Sequence, residues 1–142
     1  GSAQSLDFGP KQHTTRYVQG DNLVLRLTAP SYDAYLYVDY YQLDGGVIHL
    51  FPNTPAQHKR YPAGQSFTIG ESRKGERQWQ VQSPFGTELI VILASRDPLF
   101  QVLRPEIEPA QDYLAALREA VNRSNKDWLA ADQFYITTAA SN

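Results

Sequence analysis

Tyr35-Leu36-Tyr37-Val38-Asp39-Tyr40-Tyr41, then Asp44-Gly45, then Val47-Ile48-His49-Leu50-Phe51 is the stretch that decides how the rest of the chain is read. Side chains of a strand alternate between two faces, and an Asp-Gly step between two apolar runs is a strong hairpin signal. A strand from about Ala34 to Leu43 and another from Val47 to Phe51 follow. A two-residue loop, Asp44-Gly45, would pair Tyr40 with His49. A three-residue loop, Asp44 to Gly46, would pair Tyr40 with Leu50, with glycine free to take the left-handed turn position. The second register gathers Leu36, Val38, Tyr40, Ile48 and Leu50 on one face and Asp39, Tyr41, His49 and Phe51 on the other. It separates apolar from polar better and is preferred. His49 then points outward beside Tyr41.

The pattern continues on both sides. Upstream, Asn22 to Thr28 places Leu23, Leu25 and Leu27 on one face, and Tyr17-Val18 can begin a pairing. Downstream, Pro52-Asn53-Thr54-Pro55 stops the hairpin, because proline cannot donate to a ladder and Asn53 can bond nearby backbone. Residues 53–63 read as a surface loop, Phe67 and Ile69 as a short strand, and residues 71–76 as a charged turn. Gln78 to Gln82 alternates, with Trp79 and Val81 on one side. After the Ser83-Pro84-Phe85-Gly86 turn, Glu88 to Ala94 is apolar enough for a central strand buried on both faces. Tyr113, Leu114, Leu117 and Val121 recur at helical spacing, which predicts one helix over Pro109 to Arg123. Glu106 and Glu108 lie near its positive end. Gln133 to Thr138 alternates as a last strand. About seven short strands and one C-terminal helix before the last strand predict a mainly β fold, an antiparallel β-sandwich with Greek-key or immunoglobulin-like connections. Gly1-Ser2 reads as a protease scar, so residues 1–15 are expected to be a scar and flexible leading segment, and 16–142 a single domain.

Composition narrows the function classes. Of 142 residues 42% are hydrophobic and 20% charged, which is globular, and the net charge of −2 gives no basic footprint for nucleic acid. No apolar run approaches the ~20 residues of a membrane-spanning helix. There is no cysteine, which excludes a disulfide scaffold and thiol chemistry.

Tyr17-Val18-Gln19-Gly20-Asp21, the Tyr35–Tyr41 strand, Asp44-Gly45, Leu50-Phe51-Pro52-Asn53, Gly64, Pro84-Phe85-Gly86-Thr87-Glu88 and Asp97-Pro98-Leu99 occur in that order. In them the chain resembles a bacterial domain-of-unknown-function family, the one numbered 4384, over about residues 16–100. The resemblance implies an accessory module joined to signal peptides, kinase-like or protease-like domains or repeat arrays. It also implies a cell-envelope or periplasmic setting, with the cytoplasm as the alternative. It carries no catalytic residues.

The residues themselves point the same way. His13, His49 and His58 stand in no metal-ligand spacing, and packing or surface roles are expected for them. Gly64-Gln65-Ser66-Phe67-Thr68 lacks the final glycine of a nucleophile elbow, and no glycine loop cradles a phosphate, so neither catalysis nor a cofactor is expected. Asp39 and Glu88 read as outward or turn-bonded carboxylates that do not meet. The binding candidates are Tyr35, Tyr37 and Tyr41, an aromatic strip if exposed and core if the helix covers it, and His58, Arg60 and Tyr61, a small cationic and aromatic cluster. The expectation is a non-catalytic protein-interaction or scaffolding module of a larger envelope or secretion-associated protein, with a protein partner, no nucleic acid and no membrane insertion. Two alternatives stand beside it: a regulatory or sensor domain appended to an enzyme such as a serine/threonine kinase, and a carbohydrate or peptidoglycan binder using the tyrosine face.

Overall fold

The computed structural model describes residues 16–71 and 77–141. The expected leading segment, His13 and most of the charged turn lie outside them. The strands are β1 (Arg16–Val18), β2 (Leu25–Thr28), β3 (Tyr35–Tyr41), β4 (Gly46–Phe51), β5 (Ser66–Ile69), β6 (Thr87–Ser95), β7 (Ile107–Pro109) and β8 (Leu129–Ala139). The helix α1 (Ala110–Arg123) precedes β8. Six strands form one sheet in the order β1-β8-β6-β3-β4-β7, and β2 and β5 pair as a second, smaller sheet. The fold is mainly β and sandwich-like. All of its ladders are antiparallel except that of β1 with β8.

The central strand β6 is apolar on both sides for a reason the layers make plain. Ile90, Ile92 and Ala94 join Leu36, Val38, Tyr40 and Leu50 in a core roofed by Leu25 and Leu27 of the small sheet and by Leu23 just before it. Val91 and Leu93 turn the other way and pack with Tyr37, Leu99, Leu117 and Ala120 under the helix. Each fully buried leucine or isoleucine is worth about 1.5–3 kcal/mol, so the two cores fix which face of every strand turns where.

The hairpin differs from both expected registers. Its loop is Leu43-Asp44-Gly45: the Gln42 N–H donates to the Gly46 carbonyl (2.9 Å), and Gly45 takes the left-handed position at φ 88°. Tyr40 therefore pairs with Ile48, and Asp39 directly with His49. A register shift between Val38 and Asp39 then pairs Val38 with Phe51 and leaves Leu50 as an extra residue. The bulge moves Phe51 off the polar face on which alternation placed it, into the core with Leu50.

Other boundaries move for similar reasons. Gln78 to Gln82 is no strand of a sheet. Only an isolated bridge, Asn22 with Gln80, ties it to the segment before β2. β7 is too short, and too close to Pro105 and Pro109, to be read from alternation. β8 begins at Leu129 rather than Gln133 because Ala130, Ala131 and Asp132, weak strand formers, are held opposite Ala94, Leu93 and Ile92 of β6. The helix forms as expected, but its inward face is Tyr113, Leu117 and Ala120, and Leu114 is 48% exposed. No helix among the described residues is long and apolar enough to cross a membrane.

Candidate functional site

On the helix side of the large sheet, five charged or polar side chains form one line. His49 of β4 donates from Nδ1 to Asp39 Oδ1 of β3 (2.8 Å) and from Nε2 to Glu108 Oε2 of β7 (2.7 Å). The Tyr113 hydroxyl, from the first turns of α1, donates to Asp39 Oδ2 at 2.5 Å. Arg104 closes the other end, donating to both carboxylate oxygens of Glu108 at 2.5 and 3.0 Å. Asp39, His49 and Glu108 are 1%, 6% and 8% exposed, so His49 is buried rather than outward, and Asp39 likewise.

Both neighbours of the imidazole are carboxylates, which only accept when ionised, so both ring nitrogens carry protons. Burial lowers the His49 pKa, but the hydrogen bonds and charges of Asp39 and Glu108 outweigh it and hold the pKa above its ordinary 6.5. Burial likewise raises Glu108, and Arg104 and His49 outweigh it and hold that carboxyl below 4.5. Burial, and then the charge of Asp39, push the Tyr113 hydroxyl far up, so it stays a donor.

These directions fix a pH profile. The contribution of His49 is complete below pH 6.5 and is lost as pH rises through its raised folded value. That of Glu108 is complete above pH 4.5 and is lost as pH falls through its depressed value. Thermal midpoints measured from pH 3 to 10 are expected to be highest between those two limits. A His49→Gln variant should show a flatter alkaline limb, and an unchanged one would contradict the assignment.

The imidazolium has no free lone pair to act as a base, and the adjoining cavity, lined by Tyr37, Phe100, Arg104 and Tyr113 among others, holds about 20 Å³. That is room for one water. Among the described residues, no serine, threonine or lysine lines it. The carboxylates of Asp39 and Glu108 are aimed at the imidazole, and among the described residues no group of three His, Asp or Glu side chains is arranged to hold a metal.

Glu88 lies on the opposite face of the sheet from Asp39. It accepts from the Tyr40 hydroxyl (2.5 Å) and from the Leu43 N–H of the hairpin loop (3.2 Å). It is turn-bonded as expected, but buried rather than outward. Asn53 likewise holds its turn, donating from Nδ2 to the Leu50 carbonyl (3.0 Å).

The expected binding residues do not gather into one exposed surface. The Tyr35–Tyr37–Tyr41 strip lies beneath α1 and the segment after β6. The Tyr37 hydroxyl accepts from the Leu99 N–H (2.9 Å) and meets His58 Nε2 (3.3 Å), and its pKa is pushed up to about 12 by burial. Tyr35 and Tyr41 are half-buried, against His58 and Tyr113 respectively. Tyr61 turns inward and stacks on Phe67 with ring centroids 4.8 Å apart. His58 is half-buried, and its pKa is lowered by burial. Arg60 alone is open to solvent, held by Asp97 (3.0 Å) and the Arg96 carbonyl (2.7 Å). Of the strip, Tyr37 is core and Tyr35 and Tyr41 are partly covered; of the cluster, Arg60 ties its loop to the segment after β6.

Two open grooves remain: one of about 580 Å³ between the segment after β6 and the end of α1, lined by Asp97, Arg104 and Arg123 among others, and one of about 510 Å³ on the other side of the sheet. The small sheet covers only part of the large one. Tyr40, Ile48 and Ile107 are register partners across β3, β4 and β7, and this row runs from the core to solvent, with Ile107 58% exposed. Opposite the row runs the extended segment Arg77–Ser83. Trp79, 8% exposed and with no partner for its indole N–H, lines the groove from that segment. The Gln78–Gln82 alternation was the sequence signal for it. What alternation does not carry is that, among the described residues, the segment has no backbone neighbour on one side.

Among known families, a model described as a domain of unknown function, DUF4384, matches residues 16–98. No curated protein and no solved structure matches the chain. The matched residues include Asp39 and His49, whereas Arg104, Glu108 and Tyr113 lie beyond them. The buried line therefore fastens the C-terminal helix to the matched sheet.

Proposed function

We propose, from the premise that the chain belongs to the DUF4384 family, that it is a non-catalytic protein-interaction or scaffolding module. The observation that carries this reading is a contrast. Asp39, His49 and Glu108 on the helix face are buried and satisfied by one another and by Arg104 and Tyr113, while apolar surface is open at the Ile48–Ile107 row. A groove of a few hundred cubic ångströms with an apolar floor suits binding. The larger parent protein in the bacterial envelope or a secretion assembly is drawn from the family resemblance. Tyr37 is buried and Tyr35 and Tyr41 are half-buried, which favours the interaction reading over a glycan reading through that strip.

Photo-cross-linking in the producing bacterium tests the reading, with a benzophenone side chain placed in turn at Ile107, Leu114 and Gln133, which are all exposed. A discrete protein adduct is expected from at least one position. Absence of any adduct from all three would overturn the reading.

A further inference from the structure

We propose that the groove receives an extended peptide segment as an added antiparallel β-strand, with alternating apolar and polar residues, which completes the smaller sheet. The inference rests on the interaction reading above and names the chemistry of the partner.

The backbone of residues 78–82 carries the argument. The Leu23 N–H donates to the Trp79 carbonyl (2.9 Å), and the Val81 N–H donates to the Asp21 carbonyl (2.8 Å). Residues 79 and 81 thus spend their main-chain groups on the β2 side. Gln80, the partner of Asn22 in a bridge flanked by those two bonds, turns its N–H and carbonyl the other way. Gln78 and Gln82 follow by alternation. Among the described residues, neither Gln80 nor Gln82 has a backbone partner there.

The occupant's chemistry follows from continuity with what is already built. The ladder β5–β2 is antiparallel, and the bridge from β2's leading residues to Gln80 continues it. One more strand would take the next place. Its residues opposite Gln80 and Gln82 would share the solvent face of those side chains and exchange main-chain bonds with them, whereas the Gln78 carbonyl already accepts from Arg77 Nη1 (2.8 Å). The residues between would point down onto Ile48 and Ile107. Five residues span about 16 Å, so a segment of roughly five or six suffices. The floor is aliphatic, and both aromatic rings in the groove, Tyr40 and Trp79, are buried, so there is no open ring platform for a sugar. The outer edge of β8 is a poorer competitor: its Gln133 N–H is already taken by the Asp132 carboxylate (2.8 Å).

The test uses an eight-residue peptide alternating threonine and valine with a lysine at each end. Titrated into the isotope-labelled chain, it should shift the Gln80 and Gln82 amides and slow their hydrogen exchange. N-methylation of its threonines should weaken binding at least tenfold, and N-methylation of its valines should change it less than twofold. Ile107→Asp, a surface change that leaves the fold intact, should weaken it at least tenfold. Equal binding of both methylated peptides, shifts confined to Gln133 and Tyr135, no binding at all, or the same amide shifts produced by a neutral oligosaccharide instead would each overturn the proposal. In the bacterium, an adduct from a benzophenone at Gln80 or Ile107 supports it. An adduct from Gln133 or Leu114 alone overturns it while leaving the interaction reading standing.

Discussion

Asp39→Ala is expected to destabilise the domain by about 3–5 kcal/mol, because it removes one partner from a buried charge network and leaves the others in place. The His49 imidazolium would keep Glu108 but lose Oδ1 at 2.8 Å, and the Tyr113 hydroxyl would lose its acceptor in a site with room for one water. For a chain of this length the thermal midpoint should fall by roughly 10 °C or more. Asp39→Asn, which keeps an acceptor for Tyr113 but not the charge, should lose less. Urea unfolding of the two variants at pH 6 decides the matter. An alanine variant within about 1 kcal/mol of the parent would mean that the line is not a supporting element. The network is not thereby the source of the fold's stability, since a well-packed apolar replacement of a whole buried ion pair is often neutral or stabilising.

Gly70→Ala is expected to be at least as damaging, for a reason of shape alone. Gly70 follows β5 at φ +85°, and a Cβ there would stand 2.2 Å from the Leu23 carbonyl oxygen. Neither group can retreat: Leu23 is in the core, and β5 is paired with β2 right up to Ile69, the residue before Gly70. The left-handed conformation itself costs about 1–2 kcal/mol with a side chain. Gly45 and Gly64 share that conformation, but with nothing within 4 Å of the added atom. Gly45→Ala and Gly64→Ala should therefore show only the conformational cost. Gly70→Ala should show a much lower urea midpoint or no soluble product. Equal midpoints for all three would sink the account.

Much of the architecture was legible because it depends on period-two alternation and on where apolar residues must hide. Leu23, Leu25 and Leu27, the doubly apolar β6, and the helix bounded by Pro109 all follow from local pattern and the need to cover it. The parts that escaped are set by partners distant in sequence. Leu50 becomes a bulge only against Val38 and Asp39. Leu129–Asp132 becomes strand only against Ile92–Ser95. The buried line has contributions from β3, β4, β7, α1 and the residue Arg104, up to 74 positions apart, and no local window contains it. One signal was present: Asp39 is the single charge in an otherwise aromatic and aliphatic strand, and a lone carboxylate there demands donors from somewhere. The Tyr35–Tyr37–Tyr41 strip was read with both outcomes open, and it is covered in part: Tyr41 by Tyr113 of the helix, Tyr37 by Leu99 and Phe100, and Tyr35 by His58.

The side-by-side ladder of β1 and β8 has a mechanical consequence. Arg16 lies beside Thr137 and Val18 beside Ala139, with the two strands running in the same direction. A pull that draws residue 16 backward and residue 139 forward acts along both strands in opposite senses. The bonds between them, and the nine residue pairs that tie β8 to β6, are then loaded together in shear rather than opened singly like a zip. Tension applied at those two points would be carried across the breadth of the large sheet.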